Sequence, residues 1–498
     1  MSQLLGANTD TLDRIAESLS TDARRVHDIR ALAQRAVAEL ETGWTGPDLF
    51  RLTQQWERQG SPQLAGASAS LDACAAQLRA QSSAQRGASS NDVGSTGIAG
   101  ITGVAGVAGA FLVTMAPTSP PTHWSPAENA TWWRSLSPQQ QQRVMTEHPD
   151  WIGNRDGVAF TARDEANRML LSVDRARLLA EKHRLESELA DNWFAGAFTN
   201  QDAALEQVNR KLDSLDAIDQ TLAKDGERQL LLLDLSPERA QAAIARGNVD
   251  TADNVAVLVP GMSTTVNESM KDYDDKMDHL QHRSELESRR VYPTQSATTA
   301  TVTWIGYQTP QLGWDLLGEN SVTDDHAARN GAARLVPFLQ GIGTARDHDA
   351  HLSVLGHSYG STTAGLALQQ NTGVDDVVFF GSPGIGTSHV ESLLLPPGHA
   401  YYIEARLDPV GDLGQFGIDP SHMDGIEHAS AKESTVVDPI TGETRHFMEV
   451  TGHSSYLEDD STSQYNMSVV VAGVPDRRVY DRGEGFGDVL SWPVPGTY

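Results

Sequence analysis

The fold of this chain is decided by the stretch LSVLGHSYG, which runs from Leu352 to Gly360. Its first four residues are typical of a buried strand, and the small residues that follow the stretch predict a helix. In the turn between them, Gly356 and Gly360 flank Ser358 and leave room for the backbone to pass close by. A serine in such a strand, turn and helix arrangement stands exposed above the edge of a sheet. The stretch therefore predicts Ser358 as a nucleophile.

Candidate partners for Ser358 follow it in the chain. A serine hydroxyl is a poor nucleophile at neutral pH, so it needs a histidine to accept its proton and a carboxylate to orient that histidine. Asp408 comes just after a predicted strand, at the end where ligands gather in open α/β sheets, and is the predicted orienting acid. Asp412, one short loop further on, is the alternative acid. His453 follows the last predicted strand in a turn and is the predicted general base.

Acyl transfer also requires two hydrogen-bond donors that face the oxygen on which negative charge develops. The first predicted donor is the backbone N–H of Tyr359, directly after the nucleophile. The second is the backbone N–H of Met262, in a glycine turn that follows an earlier predicted strand. His357 is predicted to pack or to position its neighbours, because its side chain points away from that of Ser358.

Short apolar runs alternate with helix-length polar segments in the second half of the chain. Because strands that alternate with helices form a mostly parallel sheet covered on both faces, this pattern predicts an α/β fold. The predicted strands cover residues 230–235, 255–259, 300–305, 352–355, 377–380, 400–404 and 446–450.

The three predicted site residues and their order resemble the α/β-hydrolase superfamily. A closer resemblance, to an actinobacterial family of largely uncharacterised α/β hydrolases, is carried by residues 254–261, 304–307, 356–360, 380–384 and 452–454. The resemblance implies an α/β-hydrolase fold and a hydrolase, and it implies little about the substrate. The predicted site residues favour a serine hydrolase of esterase or lipase type that acts on an ester-type bond of a small molecule or a lipid. That chemistry requires no metal and no organic cofactor.

The N-terminal residues 1–86 predict a helical hairpin. Apolar residues recur at helical spacing from Ile15 to Leu40, and again after the bend that contains Trp44-Thr45-Gly46. A Trp-x-Gly bend between two such helices resembles the WXG family of hairpin proteins exported by type VII secretion. The resemblance implies a secreted or cell-envelope location and a small helical WXG-type partner, whereas a cytoplasmic location is the alternative. The first residues have no signal-peptide pattern.

Three further segments complete the predicted organisation. Residues 87–121 are rich in Gly, Ala and Pro, and residues 95–116 carry no charge, so this segment is either a linker or a membrane-active helix. Residues 122–228 predict a helical layer or cap, and residues 229–498 predict the catalytic domain.

Composition excludes several classes of function. The 38 Lys and Arg residues against 66 Asp and Glu give a net charge of −28, which disfavours nucleic acid as a partner. A single cysteine excludes an internal disulfide and a cysteine-rich metal site. Two acidic and histidine-containing clusters, at 275–282 and 348–351, are predicted to be solvated surface rather than metal sites.

Two other functions stay open at this stage. The first alternative is an exported interaction protein whose hydrolase domain is vestigial. The second is a membrane-active toxin that inserts residues 95–116 and acts on lipids.

Overall fold

A computed structural model describes residues 117–191, 200–295, 297–311, 325–408, 410, 416, 419–438 and 440–481, and scattered helical residues between 13 and 86. The chain divides into two compact units, residues 1–113 and residues 114–498. The predictions made for Trp44-Thr45-Gly46, for residues 95–116 and for Asp412 lie outside the described residues.

Within the first unit, the described residues form two helical stretches that contact each other. The Ala16 carbonyl accepts a hydrogen bond from the Arg79 side chain at 3.2 Å, and the Ala23 carbonyl accepts one from the Ser68 hydroxyl at 2.9 Å. A higher residue number in the first stretch pairs with a lower one in the second, so the two helices are antiparallel.

The second unit contains helices and strands in alternation. Its α-helices, within the described residues, are α1 (Pro126–Ser135), α2 (Pro138–Glu147), α3 (Phe160–Asp191), α4 (Asn200–Leu222), α5 (Val266–Val291), α6 (His326–Ala345), α7 (Tyr359–Leu368) and α8 (Thr462–Val471). Its strands there are β1 (Arg228–Asp234), β2 (Gln241–Arg246), β3 (Asn254–Val259), β4 (Thr299–Ile305), β5 (His351–His357), β6 (Asp376–Phe380), β7 (Ala400–Ile403), β8 (Glu427–Ala429), β9 (Ser434–Val437) and β10 (Thr444–Phe447). None of the described helices is long and apolar enough to cross a bilayer.

Eight strands form one sheet in the order β1-β2-β4-β3-β5-β6-β7-β8. Strand β2 is antiparallel to both of its neighbours, and all pairs from β4 to β8 are parallel. The chain continues from β3 to β4 on one side and then returns to place β5 on the other side of β3. Ligands bind at the carboxyl ends of the strands where the order reverses in this way, so the ends of β3 and β5 mark the expected site.

Both faces of the sheet are covered by helices. Because alternate residues of a strand face opposite sides, Val255 and Val257 of β3 pack with α6 and α7, whereas Ala256 and Leu258 pack with α5 and α8. The resulting strands are buried on both faces, as in parallel sheets generally. The predicted α/β-hydrolase architecture is confirmed.

Within the helical layer that precedes the sheet, α3 and α4 pack at the β1 edge. Leu171, Leu178 and Leu185 recur every seven residues on α3 and share a buried cluster with Leu215 of α4 and Leu230 of β1. Since β1 is four positions from β5 in the sheet, this layer extends the core on the side away from Ser358.

The predicted strand 446–450 is wrong as a member of the main sheet. Strand β10 ends at Phe447 and pairs only with β9, in a separate two-stranded sheet. One face of β10 is exposed, which fits a surface hairpin rather than a covered parallel sheet. Three strands that the sequence pattern did not predict are β2, β8 and β9.

Candidate active site

Ser358 lies in a strained turn between β5 and α7. Its φ of 53° and ψ of −132° are unusual for a residue with a side chain. Any side chain on the two flanking glycines would clash with its surroundings. A Cβ on Gly360 would lie 2.1 Å from the Val259 carbonyl oxygen, and one on Gly356 would lie 2.9 Å from the Ser361 Cα. The glycines allow the turn to fit between strand and helix, and the strain presents the Ser358 side chain at the edge of the sheet.

The structure brings together three of the predicted site residues. His453 Nε2 lies 2.8 Å from Ser358 Oγ, and His453 Nδ1 lies 3.0 Å from each carboxylate oxygen of Asp408. Asp408 is buried, and Ser358 is only 5% exposed. In this arrangement the imidazole can take the proton of the hydroxyl, while the carboxylate orients the ring and stabilises its protonated form.

The loops that carry Asp408 and His453 are tied to each other. Arg406 and Thr451 form an isolated parallel bridge, and the Gly452 amide donates to the Arg406 carbonyl at 2.9 Å. The bridge holds Asp408 and His453 in register although 45 residues separate them in sequence. The turn before His453 is therefore positioned by the loop after β7 rather than by a strand of its own.

Asp408 accepts hydrogen bonds from three donors. Besides His453, the Tyr456 phenol donates to it at 2.6 Å and the Val410 amide at 2.9 Å. Burial by itself raises the pKa of Asp408, but the hydrogen bonds from His453, Tyr456 and Val410 outweigh burial and hold the pKa below its usual range. Asp408 is therefore a carboxylate at neutral pH, which its predicted role as orienting acid requires.

Gly381, directly after β6, makes room for this arrangement. It has a φ of +54°, and a Cβ there would lie 2.8 Å from Asp408 Oδ2 and 3.2 Å from His453 Cε1. A side chain at this position would push Asp408 and His453 apart.

The predicted oxyanion turn runs directly against Ser358. A Cβ on Gly261 would lie 2.6 Å from Ser358 Cβ and 3.0 Å from its Oγ, so only glycine fits. Met262, half-buried, is the next residue of this turn, and Tyr359 is the first residue of α7, where helix amides carry partial positive charge. Both predicted backbone donors are thus next to residues of this contact: Tyr359 follows Ser358, and Met262 follows Gly261.

Buried side chains brace the oxyanion turn from the segment that follows β4. The Tyr307 phenol donates to the Pro260 carbonyl at 2.7 Å, and the Thr309 hydroxyl donates to the Thr264 carbonyl at 2.6 Å. The Ser263 amide donates to the Pro310 carbonyl at 2.7 Å. Sequence reasoning missed these contacts, because no local spacing connects the two segments.

His357 contacts the loop that carries His453. Its Nε2 lies 2.9 Å from the His453 carbonyl oxygen, which can only accept, so Nε2 carries a proton. Its ring stacks on Phe380 and on the His453 ring at centroid distances of 4.9 and 5.0 Å. Burial, and then the nearby His453, lower the pKa of His357 to about 4, so the ring is neutral at pH 7.

Beside His357 a cleft of about 290 Å³ opens between α5 and the loop after His453. Tyr273 and Lys276 of α5 line one wall, and Ser454 and Tyr456 line the other. The cleft reaches the residues behind the base.

The two acidic and histidine-containing clusters are divided among separate contacts. Asp275 pairs with Lys224 at 2.7 Å, His279 pairs with Asp459 at 2.6 Å, and His351 pairs with Asp376. Among the residues that the structure describes, no three His, Cys, Asp or Glu side chains are grouped to hold a metal ion.

Comparison with known proteins gives several similarities. Residues 236–418 match the sequence profile of a family described as alpha/beta hydrolase. An uncharacterised protein of Mycobacterium bovis is 34% identical over 241 residues, which are 47% of this chain and 88% of that protein. An uncharacterised protein of Mycobacterium tuberculosis is 31% identical over 316 residues, which are 60% of this chain and 45% of that protein.

Two solved structures are more distant. A cold-adapted esterase from an Arctic intertidal metagenomic library has 10% identity and a TM-score of 0.31, over 51% of this chain and 96% of that one. An esterase of Pyrobaculum calidifontis has 12% identity and a TM-score of 0.31, over 60% and 97%. Likenesses of this size say nothing about a substrate.

Proposed function

The chain belongs to the α/β-hydrolase family, and from this premise we propose that it is a serine hydrolase that cleaves an ester-type bond through an acyl-enzyme. The observation that carries the proposal is the hydrogen-bonded path from Ser358 Oγ through His453 to the Asp408 carboxylate. The strained Ser358 turn and the Gly261 turn pressed against it support the same function.

In the first half of the reaction, His453 Nε2 accepts the proton of Ser358 while Ser358 Oγ attacks the carbonyl carbon of the substrate. The Asp408 carboxylate accepts a hydrogen bond from the Nδ1–H of His453 and, without taking that proton, stabilises the imidazolium that forms. The carbonyl oxygen becomes an oxyanion, and the backbone N–H groups of Tyr359 and Met262 donate to it.

The tetrahedral intermediate then breaks the bond to the leaving oxygen. His453 gives its proton to that oxygen, the alcohol departs, and the acyl group remains on Ser358. A water molecule repeats the sequence: His453 takes a proton from water, the hydroxide attacks the acyl carbon, and Ser358 regains its proton as the acid leaves.

Labelling with a fluorophosphonate probe tests this proposal, because such probes modify activated serines. Wild type should be labelled and should hydrolyse p-nitrophenyl acetate, and Ser358→Ala should do neither. The matched control is Ser454→Ala, which removes an exposed serine next to the base and should keep labelling. Equal labelling of wild type and Ser358→Ala would contradict the proposal, and a wild type that stays unlabelled would favour the vestigial alternative.

We also propose, on the sequence resemblance of residues 1–86, that the chain is exported with a small helical partner. The antiparallel contacts between the two described helical stretches support a hairpin there. Deletion of residues 1–86 in the native host should abolish appearance of the protein in the medium and leave p-nitrophenyl acetate hydrolysis intact. Undiminished export of the shortened chain would contradict this.

Membrane contact through residues 95–116 stays a prediction. Flotation with liposomes of neutral phospholipid, with and without that segment, tests it, because only an inserting segment would be needed for flotation.

A further inference from the structure

We propose that Tyr456 is a positioning residue for the reaction, and that its phenol fixes the Asp408 carboxylate in the orientation and charge state that His453 requires. This inference rests on the proposed function and adds a residue that the fold family's acid, base and nucleophile do not include.

The direction of the phenol proton follows from its two contacts. The Ala405 amide donates to the Tyr456 oxygen at 2.9 Å, and an amide N–H can only donate. The phenol has a single proton, and Asp408 Oδ2 lies 2.6 Å away, a short distance typical of a hydrogen bond to a charged acceptor. Tyr456 therefore donates to Asp408. Burial and the bond to Asp408 raise the pKa of Tyr456, so the phenol keeps its proton throughout the working pH range.

This donation determines the protonation pattern of the site. Tyr456 and the Val410 amide each donate to one oxygen of Asp408, so both oxygens act as acceptors and the group is a carboxylate. A carboxylate facing His453 Nδ1 requires the proton on that nitrogen. Nε2 is then left as an acceptor toward Ser358, which is the state that a general base needs.

Packing prevents the phenol from turning away. Tyr456 is 1% exposed, and its ring lies 5.4 Å from that of Phe380. The Gly381 backbone packs closely against the edge of the Tyr456 ring: even a Cβ on Gly381 would lie only 3.0 Å from Tyr456 Cε2. Tyr456 is also three residues beyond His453, so the loop that carries the base also carries the group that holds the acid.

Tyr456→Phe removes the donor and keeps the ring. We expect kcat/KM for p-nitrophenyl acetate to fall about tenfold, mostly in kcat, the size of one hydrogen bond to a charged group. Without the phenol, one hydrogen bond fewer offsets the negative charge of Asp408, so the carboxylate stabilises the protonated imidazole more strongly. The acid limb of the kcat/KM profile should therefore move to higher pH. Replacement of Tyr456 by 3-fluorotyrosine makes the phenol a stronger donor of nearly the same shape, and it should move that limb to lower pH.

The matched control is Tyr465→Phe on α8. Tyr465 is fully buried and its phenol donates to the Arg477 carbonyl at 2.9 Å, so this variant loses the same atom and a comparable bond elsewhere in the same unit. It should lower the unfolding temperature and leave kcat and the pH profile unchanged.

The possible outcomes separate the two claims. If wild type shows no turnover that depends on Ser358, the proposed function fails. If wild type is active and both the folded Tyr456→Phe and the fluorotyrosine variant keep its kcat and acid limb, the inference about Tyr456 is overturned and the proposed function stands. If Tyr456→Phe does not fold, the shift of the acid limb in the fluorotyrosine variant decides.

Discussion

The main sheet carries an aspartate paired with histidine at the carboxyl ends of its strands, here called the carboxyl edge, and another at their amino ends, the amino edge. The two groups differ in the chemistry that they allow. At the carboxyl edge, His453 lies 3.0 Å from buried Asp408. At the amino edge, where β5 and β6 begin, buried Asp376 accepts from His351 at 2.6 Å and from His399 at 2.8 Å. The same residue types in the same sheet thus form two closely similar contacts.

The difference lies in what the second ring nitrogen faces. His351 Nδ1 lies 3.3 Å from the Val471 carbonyl, so both of its nitrogens face oxygens that only accept, and the ring favours its protonated form. Burial by itself lowers the pKa of His351, but the hydrogen bond and charge of Asp376 outweigh it and raise the pKa above its ordinary value. His453 Nε2 instead faces a hydroxyl that can donate. An aspartate and a histidine become a base only where the histidine keeps an acceptor for a proton.

Replacing each aspartate by asparagine separates the two groups most strongly. Asp408→Asn leaves an amide against His453, favours the wrong tautomer and should lower kcat by about 10³- to 10⁴-fold. Asp376→Asn is the matched control and should keep kcat within about twofold, because its contacts lie at the opposite edge of the sheet. Steady-state hydrolysis of p-nitrophenyl acetate at pH 8 measures kcat of both variants. An equal loss of kcat in the two variants would contradict the functional difference between the two groups.

The same pair of variants should reverse their order in stability. Asp376→Asn leaves two histidines without their buried carboxylate and should lower the free energy of unfolding by about 3 kcal/mol at pH 6. Asp408→Asn keeps an acceptor oxygen and removes the charged partner of one half-buried histidine, His453, rather than of two, so it should cost less. Urea unfolding followed by circular dichroism provides the measurement. A larger loss of unfolding free energy in Asp408→Asn than in Asp376→Asn would contradict this order, and would mean that the carboxyl-edge group contributes more to stability.

The sequence predicted the carboxyl-edge group and not the amino-edge one, for a physical reason. Ser358, Asp408 and His453 each follow a strand or turn with a recognisable local pattern, and the chemistry of the serine requires the other two. Asp376 and His351 belong to strand starts, and nothing local indicates that parallel pairing brings them together. His351 was predicted as solvated surface, yet it is half-buried against Asp376.

The strands show the same limit. Strands β3 to β6 were predicted within one or two residues because both faces are buried and their residues form apolar runs. Strand β2 was missed because its apolar residues are mostly alanine, which has weak strand propensity, although the strand is buried throughout most of its length. Tyr456, Tyr307 and Gly381 act through contacts with distant segments, so no spacing in the sequence indicates them.

His357 adds a further case to this comparison, because it lies near the Asp408 carboxylate and its ring is neutral. His357→Phe removes the donor to the His453 carbonyl and keeps a ring on Phe380, so kcat should fall about five- to tenfold. Since the pKa of His357 is about 4, its removal should leave the pH profile above pH 5 unshifted. His357→Gln, which retains an N–H donor, should recover part of the loss. A shifted profile in His357→Phe would show that His357 titrates with the reaction.

The smallest expected effect is the pH dependence of the amino-edge group. Because the folded pKa of His351 is raised, its pairing with Asp376 stabilises the fold fully below the unfolded histidine pKa of about 6.5, and this contribution is lost as the pH rises through the folded pKa. His351→Gln should therefore lose about 1 kcal/mol relative to wild type at pH 5.5 and less at pH 9. Exposed His389→Gln is the control, with the same difference from wild type at both pH values. Urea unfolding at the two pH values measures this difference in the free energy of unfolding. A difference between wild type and His351→Gln that grows toward pH 9 would contradict the prediction. It would mean that the His351 ring is held neutral, so that the two groups of the sheet would no longer differ in this respect.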